Sequence, residues 1–488
     1  MSVGRSLVLS AADSYIGTAL QLASTVVIAR VLTPAEIGIF AIASVFAALA
    51  TMFRDFGVAE YMIQARELSR EKIAAALTIQ IAASWLMFAA MFCSAPWVAS
   101  FYRNAAIESA MQVIAFNFVL IPFGAVSMGY FRRELNFAPN LVCNLLGNCV
   151  GFAVSVSLAL LGAGTMSLAW ASLASTATVV AAALWFRPAE VPLWPGLKGI
   201  GEVFHFGKFV SGIYIFSQLG KGAPEMIIGR THGVVDVALF SRASGLVELF
   251  HRTALRPVTR VCMPYFARSD RAGASRTAAY TTVVSYLSAV GWPLLITLAL
   301  VADAAIRLVY GPQWDASVPL ARILCVACAV ELVHMLAREA LLAIGQARQA
   351  NQLQVRLLVL QVLGLLCVVP YGLHGAAWGI LAASAAGLLL SQRTLRGGIG
   401  LTVRDMARAC APSAAVTALS VAPLAVWLHL EPATGEARVW AVLAGLPLTG
   451  LAWLVALRLF GHPIHARLAE RLRAWRAGIS RRGGGASA

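Results

Sequence analysis

Fourteen runs of about twenty mostly apolar residues follow one another along the chain, parted by short polar segments. They fall near 7–29, 37–53, 74–99, 107–129, 138–161, 166–186, 209–229, 233–251, 278–301, 316–344, 353–371, 374–391, 410–429 and 438–460. A helix rises about 1.5 Å per residue, so about twenty such residues cross the hydrocarbon of a bilayer and each run predicts one spanning helix. The run at 233–251 is the weakest, because it carries Asp236, Arg242 and Glu248.

Composition fits this reading. Of 488 residues, 59% are hydrophobic and only 12% charged, about half the charge of a soluble domain. The 38 Lys and Arg outnumber the 22 Asp and Glu, for a net charge of +16. With both termini cytoplasmic, thirty of the 38 basic residues fall in cytoplasmic segments, loop after loop. Topology therefore accounts for most of the basic excess, and no nucleic-acid partner is expected. The eight left over are Arg30, Arg103, Lys221, Arg230, Arg242, Arg307, Arg322 and Arg438.

The first run is long enough to span and shows no short, cleavable signal-peptide pattern. The eight cysteines read as small apolar fillers; Cys325 and Cys328 form a lone CxxC in an apolar stretch, so neither a metal nor a cofactor is expected. Near the end, Ile464, Leu468, Leu472, Trp475 and Ile479 recur at helical spacing among arginines, which predicts an amphipathic helix on the anionic inner leaflet.

An internal repeat organises the spans. Ile28-Ala-Arg30, Glu36, Phe40 and Ala43-Ser44 recur 200 residues later as Ile228-Gly-Arg230, Asp236, Phe240 and Ala243-Ser244. The expected domains are an N-lobe at 1–186, a proline-bearing cytoplasmic linker at 187–208, a C-lobe at 209–400, two further helices at 401–460 and a basic tail at 461–488. Six spans per lobe give both lobes one orientation. The expected fold class is thus an all-α integral membrane protein of about fourteen transmembrane helices. Its two six-helix lobes are related by a pseudo-twofold along the membrane normal around a cleft, with two extra C-terminal helices.

The stretch Ala29-Arg-Val-Leu-Thr-Pro-Ala-Glu-Ile-Gly-Ile-Phe40 resembles the first-loop signature of bacterial polysaccharide flippases. That family belongs to the multidrug/oligosaccharidyl-lipid/polysaccharide exporter superfamily. Asp55–Gln64, Tyr130–Phe137, Ile227–Arg230, Arg260–Phe266 and Tyr310–Trp314 are similar to further family segments, in order, over roughly residues 5–400. The resemblance implies movement of undecaprenyl-pyrophosphate-linked oligosaccharide units from the inner to the outer leaflet of the bacterial inner membrane, for O-antigen or exopolysaccharide. It also implies other polysaccharide-assembly membrane proteins as partners, besides the lipid-linked substrate and membrane lipids.

An anionic headgroup crossing hydrocarbon needs offsetting cations, and ionisable residues within spans are costly, which makes them candidates. Lys221 and Glu225 stand at i,i+4 in the seventh run, with Arg230 at its end; a structural ion pair is the competing reading. Arg242 and Glu248 occupy the eighth. Asp13 in the first run is a candidate for pairing or ion coupling, and Arg30 matches Arg230 by repeat. Both arginines also fit as interfacial anchors. Arg252, Arg256 and Arg260 form a stripe at the inner mouth, read either as pyrophosphate capture or as ordinary positive-inside charge. Glu331, His334 and Arg338 share a face of the tenth run, where His334 is a proton carrier or a core histidine. Asn144 and Asn148 are expected to hydrogen-bond between helices.

No P-loop, HExxH, GxSxG or DxD pattern is present, and no outer loop is long enough for a catalytic domain, so no enzyme is expected. The coupling ion, H+ or Na+, stays open. The rivals are an ion-coupled multidrug antiporter of the same superfamily and an integral-membrane polysaccharide polymerase or ligase.

Overall fold

The computed structural model describes residues 3–55, 57–65, 68–251, 255–430 and 435–465, which form helices and connecting turns with no strand. Packing divides the chain into two units, residues 1–241 and 242–488.

The first unit opens with α1 (Val3–Val31) and α2 (Pro34–Asp55). Thr33 and Glu36 start α2 as a reciprocal cap: the Thr33 N–H donates to Glu36 Oε2 at 2.8 Å and the Glu36 N–H donates to Thr33 Oγ1 at 3.4 Å. Pro34 fits at the first helical position, where no N–H is needed. The Thr-Pro-Ala-Glu of the first loop is therefore a helix start.

A short helix α3 (Val58–Gln64) leads into α4 (Arg70–Tyr102), and α5 (Ala106–Ala115), α6 (Asn117–Arg133), α7 (Phe137–Leu160) and α8 (Thr165–Trp185) follow. Arg133 Nη1 donates to the Met62 and Ala65 carbonyls at 2.6 and 2.7 Å, closing the end of α3. α7 lies between α1 and α8, and Asn144 Nδ2 on α7 donates to both Asp13 carboxylate oxygens on α1 at 3.1 and 3.3 Å. α9 (Ile200–Thr231) packs on α2 and α4, and α10 (Val234–Phe250) runs out of the unit.

The segment before α9 is held down. The Thr78 hydroxyl on α4 donates to the Gly196 carbonyl at 2.7 Å and accepts from its N–H at 2.9 Å. Val191 and Val203 are buried in a cluster with Tyr61, Met62, Ile73, Leu77 and Val126. Residues 200–208 of the expected linker are the first turns of α9.

The second unit contains α11 (Arg256–Arg271), α12 (Arg276–Leu300), α13 (Ala302–Val309), α14 (Val318–Glu331), α15 (Ala337–Ala343), α16 (Ala347–Val368), α17 (Gly372–Ile399), α18 (Val403–Leu430) and α19 (Gly435–Leu459). α12 packs on α18, α18 on α19, and α17 on both α14 and α16. His462, buried just past α19, meets Ser285 of α12 at 3.0 Å and Ser413 of α18 at 3.4 Å through Nε2. Ion pairs join α13 to its surroundings: Arg307 to Asp315 at 2.6 Å and Arg438 to Asp303 at 3.2 Å.

Twelve helices among the described residues are long and apolar enough to cross a membrane. The two expected runs outside that set are α9, of 32 residues, and α10, of 17. Large apolar side chains such as Trp97, Trp185, Leu389 and Trp440 are exposed, as lipid-facing residues are. Where a basic loop was read between spans eight and nine, the chain forms α11, which buries Cys262 and Phe266 at i,i+4. Residues 466–488, with most of the expected amphipathic tail, lie outside the described residues; Ile464 packs against Ala289, Val416, Ala456 and Leu457.

Candidate functional site

Arg242, in the middle of α10, sits within an aromatic cage. Its guanidinium carbon lies 5.4 Å from the centroids of both Tyr310 and Trp314, within cation–π range. Trp314 is fully buried and Tyr310 nearly so, while Arg242 Nε is buried without a hydrogen bond. The residues that resembled a family segment, Tyr310–Trp314, are the ones that hold this cation. The sequence reading placed Arg242 in the membrane but missed its partners, which lie about seventy positions on.

The tenth run is not one helix. α14 stops at Glu331 and α15 starts at Ala337, with a tight turn between. Within it the Val333 N–H donates to the Val330 carbonyl at 3.2 Å and the Ala337 N–H to the His334 carbonyl at 3.0 Å, each one residue short of the α-helical partner. The carbonyls of Ala329 and Val333 thereby lose their usual donors. Two side chains of α12 replace them: Trp292 Nε1 donates to the Ala329 carbonyl at 2.8 Å and the Tyr280 hydroxyl to the Val333 carbonyl at 3.2 Å. Ala329 and Val333 are buried, so their carbonyls need such substitute donors.

His334 stands in this turn, only 6% exposed. Its Nδ1 faces Ser391 Oγ at 3.5 Å, and its Nε2 is buried with no hydrogen bond. One turn before Glu331, Cys328 Sγ lies 3.1 Å from His251 Nε2 at the end of α10. The charges of Glu331 and Glu248 both reach Cys328. Among the described residues no group of three or more His, Cys, Asp or Glu side chains is disposed to hold a metal ion.

The other candidates are scattered. Arg30 and Arg230 are exposed at the ends of α1 and α9, and Arg230 covers the Phe101 ring at 5.0 Å. Asp236 is 4.0 Å from His232 in the first turn of α10. Glu225 and Glu248 are half-buried, on α9 and α10. Asp13 is joined to Asn144, as described. Arg252 lies outside the described residues, as do the side chains of Lys221, Arg256 and Arg260, whose backbones are in α9 and α11.

A second polar cluster, unforeseen in the sequence, gathers where α3, α4 and α9 meet. Lys72 Nζ and Glu202 Oε2 are 3.0 Å apart, the Tyr61 hydroxyl donates to Glu202 Oε1 at 3.1 Å, and Lys198 reaches Glu71 at 2.9 Å. The hydrogen bond from Lys72, and then that from Tyr61, hold the Glu202 carboxyl below its ordinary range. Burial, then the bond and charge of Glu202, push the Tyr61 phenol up to about 12. These groups tie the start of α9 and the segment before it to α3 and α4.

The described residues are all-helical, with twelve helices long and apolar enough to cross a membrane. The family profile described as "Polysaccharide biosynthesis protein" matches residues 27–319, and the chain belongs to that family. It is similar to the teichuronic acid biosynthesis protein TuaB of Bacillus subtilis (strain 168), at 24% identity over 69% of this chain and 71% of that one. It is also similar to the lipopolysaccharide biosynthesis protein WzxC of Escherichia coli (strain K12), at 23% identity over 65% of each chain. A solved structure of the lipid II flippase MurJ, in an inward closed conformation, superposes with a TM-score of 0.76. The match covers 93% of this chain and 98% of that one at 12% identity, so the two share a two-lobe transporter fold.

Proposed function

We propose that this chain is a flippase. It carries undecaprenyl-pyrophosphate-linked oligosaccharide repeat units from the inner to the outer leaflet of the bacterial inner membrane, for O-antigen or exopolysaccharide assembly. The observation that carries the reading is the family match over 27–319 on a transporter fold. The names of TuaB and WzxC point to surface-glycan assembly and that of MurJ to a lipid-linked cargo. The sequence carries no P-loop, HExxH, GxSxG or DxD pattern.

In this reading both termini are cytoplasmic, and the lobes 1–186 and 209–400 alternate around a cleft. Lys221, partnered or gated by Glu225, meets the pyrophosphate there, with Arg30 and Arg230 at the rim, and Arg252, Arg256 and Arg260 gather it at the inner mouth. Arg242 holds α10 in place through Tyr310 and Trp314.

Deleting the gene and quantifying lipid-linked oligosaccharides by mass spectrometry tests this. Intact, unpolymerised repeat units should accumulate facing the cytoplasm. Normal polymer without accumulation, in a strain with no second exporter, would refute the flippase reading.

A further inference from the structure

A cavity of about 620 Å³ lies in the second unit, between α12, α14, α17 and α18. Trp292, Gln392 and Thr417 line it, and their donors are spent on backbone carbonyls. Trp292 Nε1 donates to Ala329 at 2.8 Å, Gln392 Nε2 to Leu401 at 3.0 Å and the Thr417 hydroxyl to Ser413 at 2.7 Å. The other side chains of the lining are hydrocarbon, apart from the sulfurs of Met406 and Cys410. Leu389 and Val403, both in the wall, are exposed, so the cavity is a groove open at the surface. It offers an occupant van der Waals contact and little else, which suits a hydrocarbon chain.

The groove's length selects the chain. Along α18 the lining runs from Val403 to Ala418, about 22 Å of helix at about 1.5 Å per residue. One leaflet is about half of a ~30 Å hydrocarbon core, so the groove is somewhat longer than one leaflet is deep. A single acyl chain of a membrane phospholipid fills such a length, whereas an undecaprenyl chain, much longer, would overrun it. Hydrocarbon against hydrocarbon gives no preference for one membrane lipid over another, so selectivity has to come from the headgroup end.

That end is basic. On α17, Leu389 is followed at i,i+4 and i,i+7 by Arg393 and Arg396, on one stripe of the helix. On α18, Arg404 and Arg408 directly follow the lining residues Val403 and Ala407. All four arginines are exposed. The bond from Gln392 to Leu401 fastens the turn between α17 and α18 to the end of the groove, which gathers the four there. Asp405 is the one acid in the stretch 391–410, and its Oδ2 already accepts from the Thr402 N–H at 3.1 Å and hydroxyl at 2.6 Å.

We propose that this groove is a binding site for an anionic glycerophospholipid. One acyl chain fills it, and the phosphate sits among Arg393, Arg396, Arg404 and Arg408, which attract an anionic headgroup at the membrane surface. The lipid thereby fastens α18, the first of the two C-terminal helices, to α12, α14 and α17. This occupant is a fixed part of the protein and not its cargo, so the site stands whether or not the chain is a flippase.

The test uses the full-length protein in dodecyl maltoside, titrated with phosphatidylglycerol, phosphatidylcholine or undecaprenyl phosphate, with bound lipid counted by native mass spectrometry. One phosphatidylglycerol should bind about tenfold more tightly than phosphatidylcholine. Arg404→Gln/Arg408→Gln should abolish that preference, while Arg70→Gln/Arg132→Gln, two exposed arginines of the first unit, should keep it. Ala407→Trp, which fills the groove with an indole, should lose the bound lipid; if that variant does not fold, the arginine pair decides. Equal affinity for the two phospholipids, wild-type binding by Arg404→Gln/Arg408→Gln, or an equal loss in Arg70→Gln/Arg132→Gln each overturns the site. Displacement of phosphatidylglycerol by equimolar undecaprenyl phosphate overturns it too, because the groove would then belong to a polyprenyl chain.

Discussion

The carbonyl oxygen of Val234 occupies the place where a side chain on Gly38 would begin. Gly38 stands in the first turns of α2 and Val234 opens α10, so the two copies of the repeated loop meet backbone to backbone. The same neighbourhood holds Gly229 against Tyr102 and Ile42, and the Tyr102 hydroxyl donates to the Met226 carbonyl at 3.2 Å.

Gly38→Ala should therefore force α2 and α10 apart, at a cost of about 1–3 kcal/mol. Thermal unfolding of the purified protein should show a midpoint several degrees lower. Gly397→Ala, where a Cβ meets open space, serves as the control and should change little. Equal midpoints for Gly38→Ala and wild type would remove this contact as a constraint.

Arg242→Met exchanges the caged cation for an apolar chain of similar reach. It loses two desolvated cation–π contacts, worth about 2 kcal/mol each at most. Arg242→Lys should recover part of the loss, because an ammonium is attracted to the rings but cannot lie flat on them. Stability and export should fall together in Arg242→Met. Export lost at unchanged stability would instead assign Arg242 to the transported headgroup.

Glu202 sets an acid-side limit on the attachment of the start of α9 to α3 and α4. Its carboxyl is held below the ordinary range in the folded protein, so its contribution is complete above the unfolded value of about 4.3 and disappears as pH falls through the lowered folded value. The pair is solvent-screened, which limits the effect to under about 1 kcal/mol. Glu202→Gln should unfold slightly earlier than wild type at pH 7, and the gap should close in strong acid. A gap that persists at all pH values would mean that charge is not what Glu202 supplies.

Tyr280→Phe removes only the hydroxyl that serves the Val333 carbonyl. The expected loss is about 1 kcal/mol. Hydrogen exchange of the amides at 333–337 should quicken, while exchange in α16 stays as it was. Exchange unchanged at the turn would show that the break holds without this donor.

Much of the architecture could be read before any coordinates. The apolar runs locate the helices because a bilayer imposes one length. The interhelical bond of Asn144 also follows from its residue type, although its partner Asp13 and the Thr33–Glu36 cap show only in the structure. The turn at 332–336 could not be read, since Glu331, Leu332, Val333 and His334 contain no glycine or proline and α12 supplies the donors that stabilise the break. α11 escaped for a related reason: its burial of Cys262 and Phe266 was hidden under a stripe of arginines that looked like loop charge. Of the candidate site, the buried charges were visible as misfits in apolar runs, but not what they touch. Tyr310 and Trp314 reach Arg242 only through tertiary packing.

The pair of hydrogen bonds between Thr78 and Gly196 bears on how this protein can be dissected. A proline-rich segment between two halves invites a protease site or a fluorescent reporter, on the view that it is slack. Here, cutting or lengthening the chain near Gly196 would peel a strap off α4 and expose Val191 and the apolar floor beneath it. The exposed turn at Ala272–Ala274, with Gly273 at a φ of 68°, is the better place to splice, provided the Asp270–Arg276 ion pair and the Ser275 cap of α12 on either side are kept.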